Sequence, residues 1–239
     1  MYIAYKITRV SQLKIEHYRE EWAFSGEKKY KKFGFAADVN SPLNDRYGMG
    51  VWDGKFYKLY DSGTNGGSVR SKYDSKEPNN PFDFSSIYSR FFGTFEEGSI
   101  SQLLKDNPIK QWCVEIIEPD SKICVSCNFS ENTTAKWHIN FDKNCMVEKF
   151  EQASNNLATG QLLANLELVV SESKEIKPGI WLPMEAQESV TINGKIFKNH
   201  LEVEKLIIND PEIEKVFLFE FPKGSMYYDY ILGKSVHAD

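Results

Sequence analysis

Apolar and polar residues alternate at a period of two along most of this chain, and turn residues interrupt the alternation at short intervals. Both features predict β-strands joined by tight connections. Three strands are expected between Tyr2 and Asp38: YIAYKITRV, LKIEHYREEWAF and KKYKKFGFAAD, with Ser25-Gly26-Glu27 turning the second into the third. In the second strand Tyr18, Trp22 and Phe24 share a parity that Glu20 interrupts, while His17, Arg19 and Glu21 point the other way, so one side of this sheet is expected to be wet. Val39 to Asp45 reads as a loop from its Asn, Pro and Asp content. Asp53-Gly54, set between apolar and aromatic runs, predicts a hairpin, and SVRSKYD extends the meander.

The pattern changes at Ser75. SKEPNNPFDF is an irregular connection, SSIYSRFFGTF has the spacing of a short helix with Phe91 and Phe92 on one side, and SISQLLKDN predicts a second. Helices this short need the sheet to pack against. From Gln111 the alternation returns in WCVEIIE, SKICVSCNF, TTAKWHINFD and CMVEKFEQA, where Trp137, Ile139 and Phe141 oppose Lys136, His138 and Asn140. QLLANLELVVSES reads as a further strand, Pro183 demands a strand start, a bulge or an edge, and Asn193-Gly194 predicts a hairpin. The densest apolar stretch closes the chain. Val216 to Phe221 is expected to be a strand with Phe217, Phe219 and Phe221 on one face; Pro222 and Gly224 end it, and Tyr227, Tyr228, Tyr230 and Ile231 resume it. The fold class is therefore mainly β with two short central helices, an antiparallel sheet whose connections are turns.

Composition agrees, since 14% of the 239 residues are aromatic, which suits a pleated, half-buried surface. A net charge of -5 with both signs interspersed argues against phosphate neutralisation, so no nucleic-acid partner is expected. The lysines at 28, 29, 31 and 32 read as the solvated face of a strand. No apolar run reaches the length of a membrane-spanning helix, which leaves a peripheral membrane contact at most. In CVSC the two thiols fall on opposite faces of a strand, so Cys124 and Cys127 do not form a natural metal pair, and the disulfide pairing of Cys113, Cys124, Cys127 and Cys145 stays open. The histidines at 17, 138, 200 and 237 lack ligand spacing, and no nucleophile elbow, metalloprotease motif or phosphate loop occurs. No catalytic residue, metal or cofactor is expected.

The REEWAFSGEKKYKKFGF and VWDGKFYKLYD hairpins, the central helical pair, the GIWLP segment and the tail FEFPKGSMYYDY together resemble the LolA/LolB-like outer-membrane lipoprotein-sorting group. The resemblance covers most of the chain and implies a curved antiparallel sheet forming an unclosed half-barrel around a helical lid. It implies one domain over 1–239, with strands over 2–74, the lid over about 82–108 and strands over 111–236. It also implies a non-enzymatic carrier or sensor of lipid or acylated lipoprotein in the bacterial periplasm or cell envelope. The apolar lining would then be Trp22, Phe24, Phe33, Phe35, Tyr57, Leu59, Phe91, Phe92, Trp137, Ile139, Phe141, Phe217, Phe219 and Phe221. Arg19, Arg46 and Arg70 are the candidates for a gating arginine, against a plain reading as surface charges. An envelope protein needs a signal peptide or lipid anchor, so Met1 is expected to be an added or shortened start; a cytoplasmic location is the alternative. Two other readings stay open: a scaffold of the same fold with a packed interior, and an enzyme using clustered carboxylates.

Overall fold

The turn residues deliver the strands they promise. In the computed structural model, which describes residues 1–71, 94–95, 98–99, 112–118 and 121–239, the first six strands are β1 (Tyr2–Ser11), β2 (Ile15–Ser25), β3 (Lys28–Ala36), β4 (Leu43–Trp52), β5 (Tyr57–Asp61) and β6 (Gly66–Arg70). Two-residue strands β7 (Thr94–Phe95) and β8 (Gly98–Ser99) pair with each other. Then come β9 (Trp112–Glu118), β10 (Lys122–Ser130), β11 (Thr133–Asn140), β12 (Met146–Asn155), β13 (Leu162–Lys177), β14 (Ile180–Ile192) and β15 (Lys195–Ile207). A 3-10 helix (Pro211–Phe217) precedes β16 (Met226–Asp229) and β17 (Lys234–His237).

The chain divides into two units. One holds Met1–Thr8, the described part of Glu16–Asp83, and Val203–Asp239. Its strands run in the order β17-β16-β6-β5-β4-β3-β2-β1, antiparallel from β6 to β2, while β16 joins β6 in parallel. The other holds Arg9–Ile15 and the described part of Phe84–Glu202, in the order β15-β14-β13-β12-β11-β10-β9, antiparallel throughout. Neither run returns to pair its last strand with its first, so the sheet is unclosed.

Local chemistry sets these registers. Asn193 and Gly194 both take positive φ, +49° and +77°, the two-residue turn whose twist matches the flanking strands, and Ile192 faces Lys195 across it. Asp53 closes the β4–β5 connection by accepting from Lys55 N at 2.9 Å and Phe56 N at 2.7 Å. Pro183 sits where the β13–β14 register slips, an irregularity of the kind that tolerates a residue with no N–H donor.

Five expectations are corrected. The stretch from Val216 to Phe221 is not a strand: Asp210 caps a 3-10 helix by accepting from Glu212 N at 2.8 Å, with Pro211 at its first position. This cap-and-proline start signal lies just upstream and outweighs the period-two phenylalanines. The closing hairpin is instead β16–β17, and Tyr230 and Ile231 belong to its turn. The expected 39–45 loop is shorter, because β4 begins at Leu43. The side of β2 expected to be wet carries Ala23, which is buried with Tyr30, Val51, Ile213 and Phe217 in this unit's core. Thr94–Phe95 and Gly98–Ser99 are strands where helix ends were expected; the rest of the central helical segment, with Phe91 and Phe92, lies outside the described residues.

The core of the second unit is a cross-strand row. Trp137 opposes Phe150, which opposes Leu168, and all three are fully buried. The Trp137 and Phe150 rings lie 5.6 Å apart, and Trp112 stacks on Trp137 at 5.9 Å.

Candidate functional site

Cross-strand partners share a face, so the registers of the first unit place its aromatic residues without ambiguity. One row runs Glu20, Phe33, Gly48, Asp61, Gly66, Met226; the next runs Trp22, Lys31, Gly50, Leu59, Ser68, Tyr228; a third runs Phe24, Lys29, Trp52, Tyr57, Arg70. Tyr18 and Phe35 form a fourth pair, with ring centroids 4.7 Å apart. Six of the residues expected to line an apolar surface, Trp22, Phe24, Phe33, Phe35, Tyr57 and Leu59, therefore lie on one face of one unit. Trp22 and Tyr57 are buried there, whereas Phe33 and Phe35 remain 39% and 49% exposed.

These exposed rings border a hollow of about 940 Å³ whose walls include Tyr18, Phe33, Phe35, Leu59 and Arg46. Its floor is made by glycines. A Cβ at Gly48 would lie 2.6 Å from the Phe33 ring, so the ring can lie flat over β4 only because that side chain is missing. The volume falls in the range of sites that hold small apolar ligands.

Beside the hollow sits a polar knot. Glu20 accepts from the Tyr5 hydroxyl at 2.8 Å and from Trp22 Nε1 at 3.1 Å, and Trp22 Nε1 also donates to the Tyr5 hydroxyl at 2.6 Å. Lys31 Nζ stands 3.7 Å from Glu20, 4.4 Å over the Trp22 ring and 5.3 Å over Phe33. The lysine run is thus not simply a solvated face: Lys31 is buried, and burial lowers the pKa of half-buried Lys29. The reason is that β3 is an inner strand, so its lysines lay their stems along aromatic neighbours.

The remaining expected residues are dispersed. Phe217 belongs to the core on the opposite face. Phe219 and Phe221 reach Tyr60 on that same opposite face, at 6.0 and 6.3 Å, and Phe221 stacks on Tyr227 at 4.2 Å. In the second unit Trp137 is a core residue, Ile139 is half-buried, and Phe141 is exposed in the turn after β11. Among the arginines, Arg19 donates to Glu204 and holds its carboxyl below the usual range, Arg46 lines the hollow, and Arg70 lies 4.3 Å over the Tyr230 ring.

The second unit has a hollow of about 550 Å³ that the sequence reading missed. Arg9 Nε donates to Asn199 Oδ1 at 2.9 Å and Asn199 Nδ2 donates to Glu188 Oε2 at 2.5 Å, with Glu188 and Asn199 both buried. A signal existed: Glu188 interrupts the apolar parity of Ala186, Val190 and Ile192, and Asn199 that of Phe197 and Leu201.

Among the described residues no three His, Cys, Asp or Glu side chains converge on a metal position. No disulfide joins the cysteines, and burial pushes the Cys124 and Cys127 thiols up.

No protein-family model matches the chain, and no curated protein matches it significantly. Solved structures similar to it include a DUF1329 family protein from Desulfovibrio piger, with 12% identity, a TM-score of 0.42 and 87% of each chain covered. They include a domain proposed to be an outer membrane lipoprotein-sorting protein from Vibrio parahaemolyticus, with 10% identity, a TM-score of 0.48, and 89% of this chain and 90% of that one covered. An uncharacterised conserved protein from Thermus thermophilus aligns at 8% identity and a TM-score of 0.29 over 95% of this chain and 90% of its own.

Proposed function

We propose that this protein is a non-enzymatic binder of apolar chains, a carrier or sensor of lipid or acylated lipoprotein in the bacterial cell envelope. The observation that carries the reading is the hollow on the aromatic face of the first unit, where Phe33 and Phe35 stand exposed over a floor of glycines. An aliphatic chain laid along these rings loses water at about 0.8 kcal/mol per methylene, so area alone supplies useful affinity. Tyr18, Arg46 and Asp61 at the rim would orient the polar end. The envelope location rests on the sequence resemblance.

The test is direct. Lipid extraction and native mass spectrometry of the purified protein should recover a bound amphiphile, and a fluorescent fatty-acid probe should bind with a signal that Phe33→Asp with Phe35→Asp abolishes. Absence of any probe binding by the wild-type protein would overturn the reading, as would equal binding by the double variant.

A further inference from the structure

The hairpin β16–β17 presents apolar residues outward in a way that core formation does not explain. Its turn, Tyr230 to Gly233, is fixed by Asp229, whose Oδ1 accepts from Ile231 N at 2.8 Å and Leu232 N at 3.0 Å. The turn is therefore shaped, yet Ile231 and Leu232 are 48% and 62% exposed. A polar turn would satisfy the same backbone geometry at no cost in solubility. Below the tip, Tyr230 is exposed, packed edge-on against Tyr228 at 4.7 Å and capped by the Arg70 guanidinium 4.3 Å over its ring. Lys234, exposed, faces Asp229 across the hairpin. Aliphatic tip, tyrosine collar and cations behind form the order in which side chains sort across the edge of a bilayer.

Register adds a second, independent argument. In the parallel β6–β16 pair, Met226 lies beside Gly66 and Tyr228 beside Ser68, and both Gly66 and Ser68 line the aromatic hollow. Met226 and Tyr228 therefore continue the face of that hollow, while Ile231 borders a second hollow on the other face with Phe219, Phe221 and Tyr227.

We propose that the β16–β17 hairpin is a membrane-contact element that seats Ile231 and Leu232 in the interfacial region of a lipid bilayer, with Arg70 and Lys234 against its headgroups, and brings the rim of the hollow to the lipid surface. What the contact delivers rests on the acyl-binding reading; the contact itself does not. The whole protein should float with vesicles of phosphatidylcholine and phosphatidylglycerol, and less well with phosphatidylcholine alone. Ile231→Ser with Leu232→Ser should weaken that partition about tenfold or more, while leaving the circular dichroism spectrum and vesicle-free binding of the fatty-acid probe unchanged. Failure of the wild-type protein to float, or equal flotation of the variant, overturns the proposal. So would self-association in sedimentation velocity that the double variant relieves without any flotation, which would give the patch to a second copy of the chain. Flotation without probe binding would retain the hairpin's role and remove the acyl-binding reading instead.

Discussion

The two faces of strands β2 to β5 are built from alternate residues of the same segments, yet they have opposite fates. On one, Ala23, Tyr30 and Val51 lie buried with Ile213 and Phe217 from the 3-10 helix. On the other, one residue away along each strand, Phe33 and Phe35 keep much of their surface in water around a hollow. Both faces are apolar enough to be a core. What separates them among the described residues is the covering element and the side chain withheld: the first receives Phe217, and the second has glycine at 48 in β4, where a Cβ would meet the Phe33 ring. An apolar face becomes a site when the sequence supplies rings but withholds the volume to bury them.

The comparison breaks most visibly at Phe217. Phe217→Ala should lower unfolding free energy by about 3–5 kcal/mol in urea or guanidinium titrations, and probe binding per folded molecule should stay as it was. Gly48→Val comes next, because its Cβ would meet the Phe33 ring at 2.6 Å and the ring must move. A loss of about 1–3 kcal/mol by the same titration is expected, together with weaker probe binding as the hollow fills. Phe33→Ala should separate the faces most cleanly, changing stability by about 0.5 kcal/mol or less while weakening the probe severalfold in a fluorescence titration.

The smallest effect concerns acid. Arg19 donates to Glu204 and Lys6 lies 3.9 Å away, and the hydrogen bond from Arg19 is the main cause of that carboxyl's depressed pKa. A depressed folded value stabilises the protein at neutral pH. That stabilisation fades as pH falls from the unfolded glutamate value of about 4.3 through the lower folded one. Thermal melts across this window should show Glu204→Gln losing less stability on acidification than the wild-type protein, by a small margin because the pair is partly exposed.

Much of the site was legible because period-two parity is a local property. Tyr18, Trp22 and Phe24 could be given one parity before any register was known, whereas the registers of β2 to β5 were needed to bring Phe33, Phe35, Tyr57 and Leu59 to the same face. Phe217, Phe219 and Phe221 misled for the same reason. Their spacing mimics a strand, but Asp210 and Pro211 start a helical turn upstream, and no periodicity reveals whether a β-rich segment has a ladder to join. The Glu188–Asn199 pair failed differently: each looked like a single lapse in alternation, and only the β14–β15 register shows that the two lapses coincide. Lys31 was misread because a charge run says nothing about which strands flank it.

The parallel seam between β6 and β16 also dictates when the first unit can be completed. Asn65 donates to the Gly224 carbonyl across 159 residues of sequence, and the Lys58 ammonium donates to Phe219 O across 161. All of the described second unit from Trp112 to Glu202 lies between those partners, joined instead by neighbouring hairpins. On the ribosome, therefore, the hairpin-linked strands can pair as they emerge, while β6 must wait for its β16 partner until residues 226–229 are synthesised. The strands that line the hollow would thus be in place long before the hairpin that pairs with their edge.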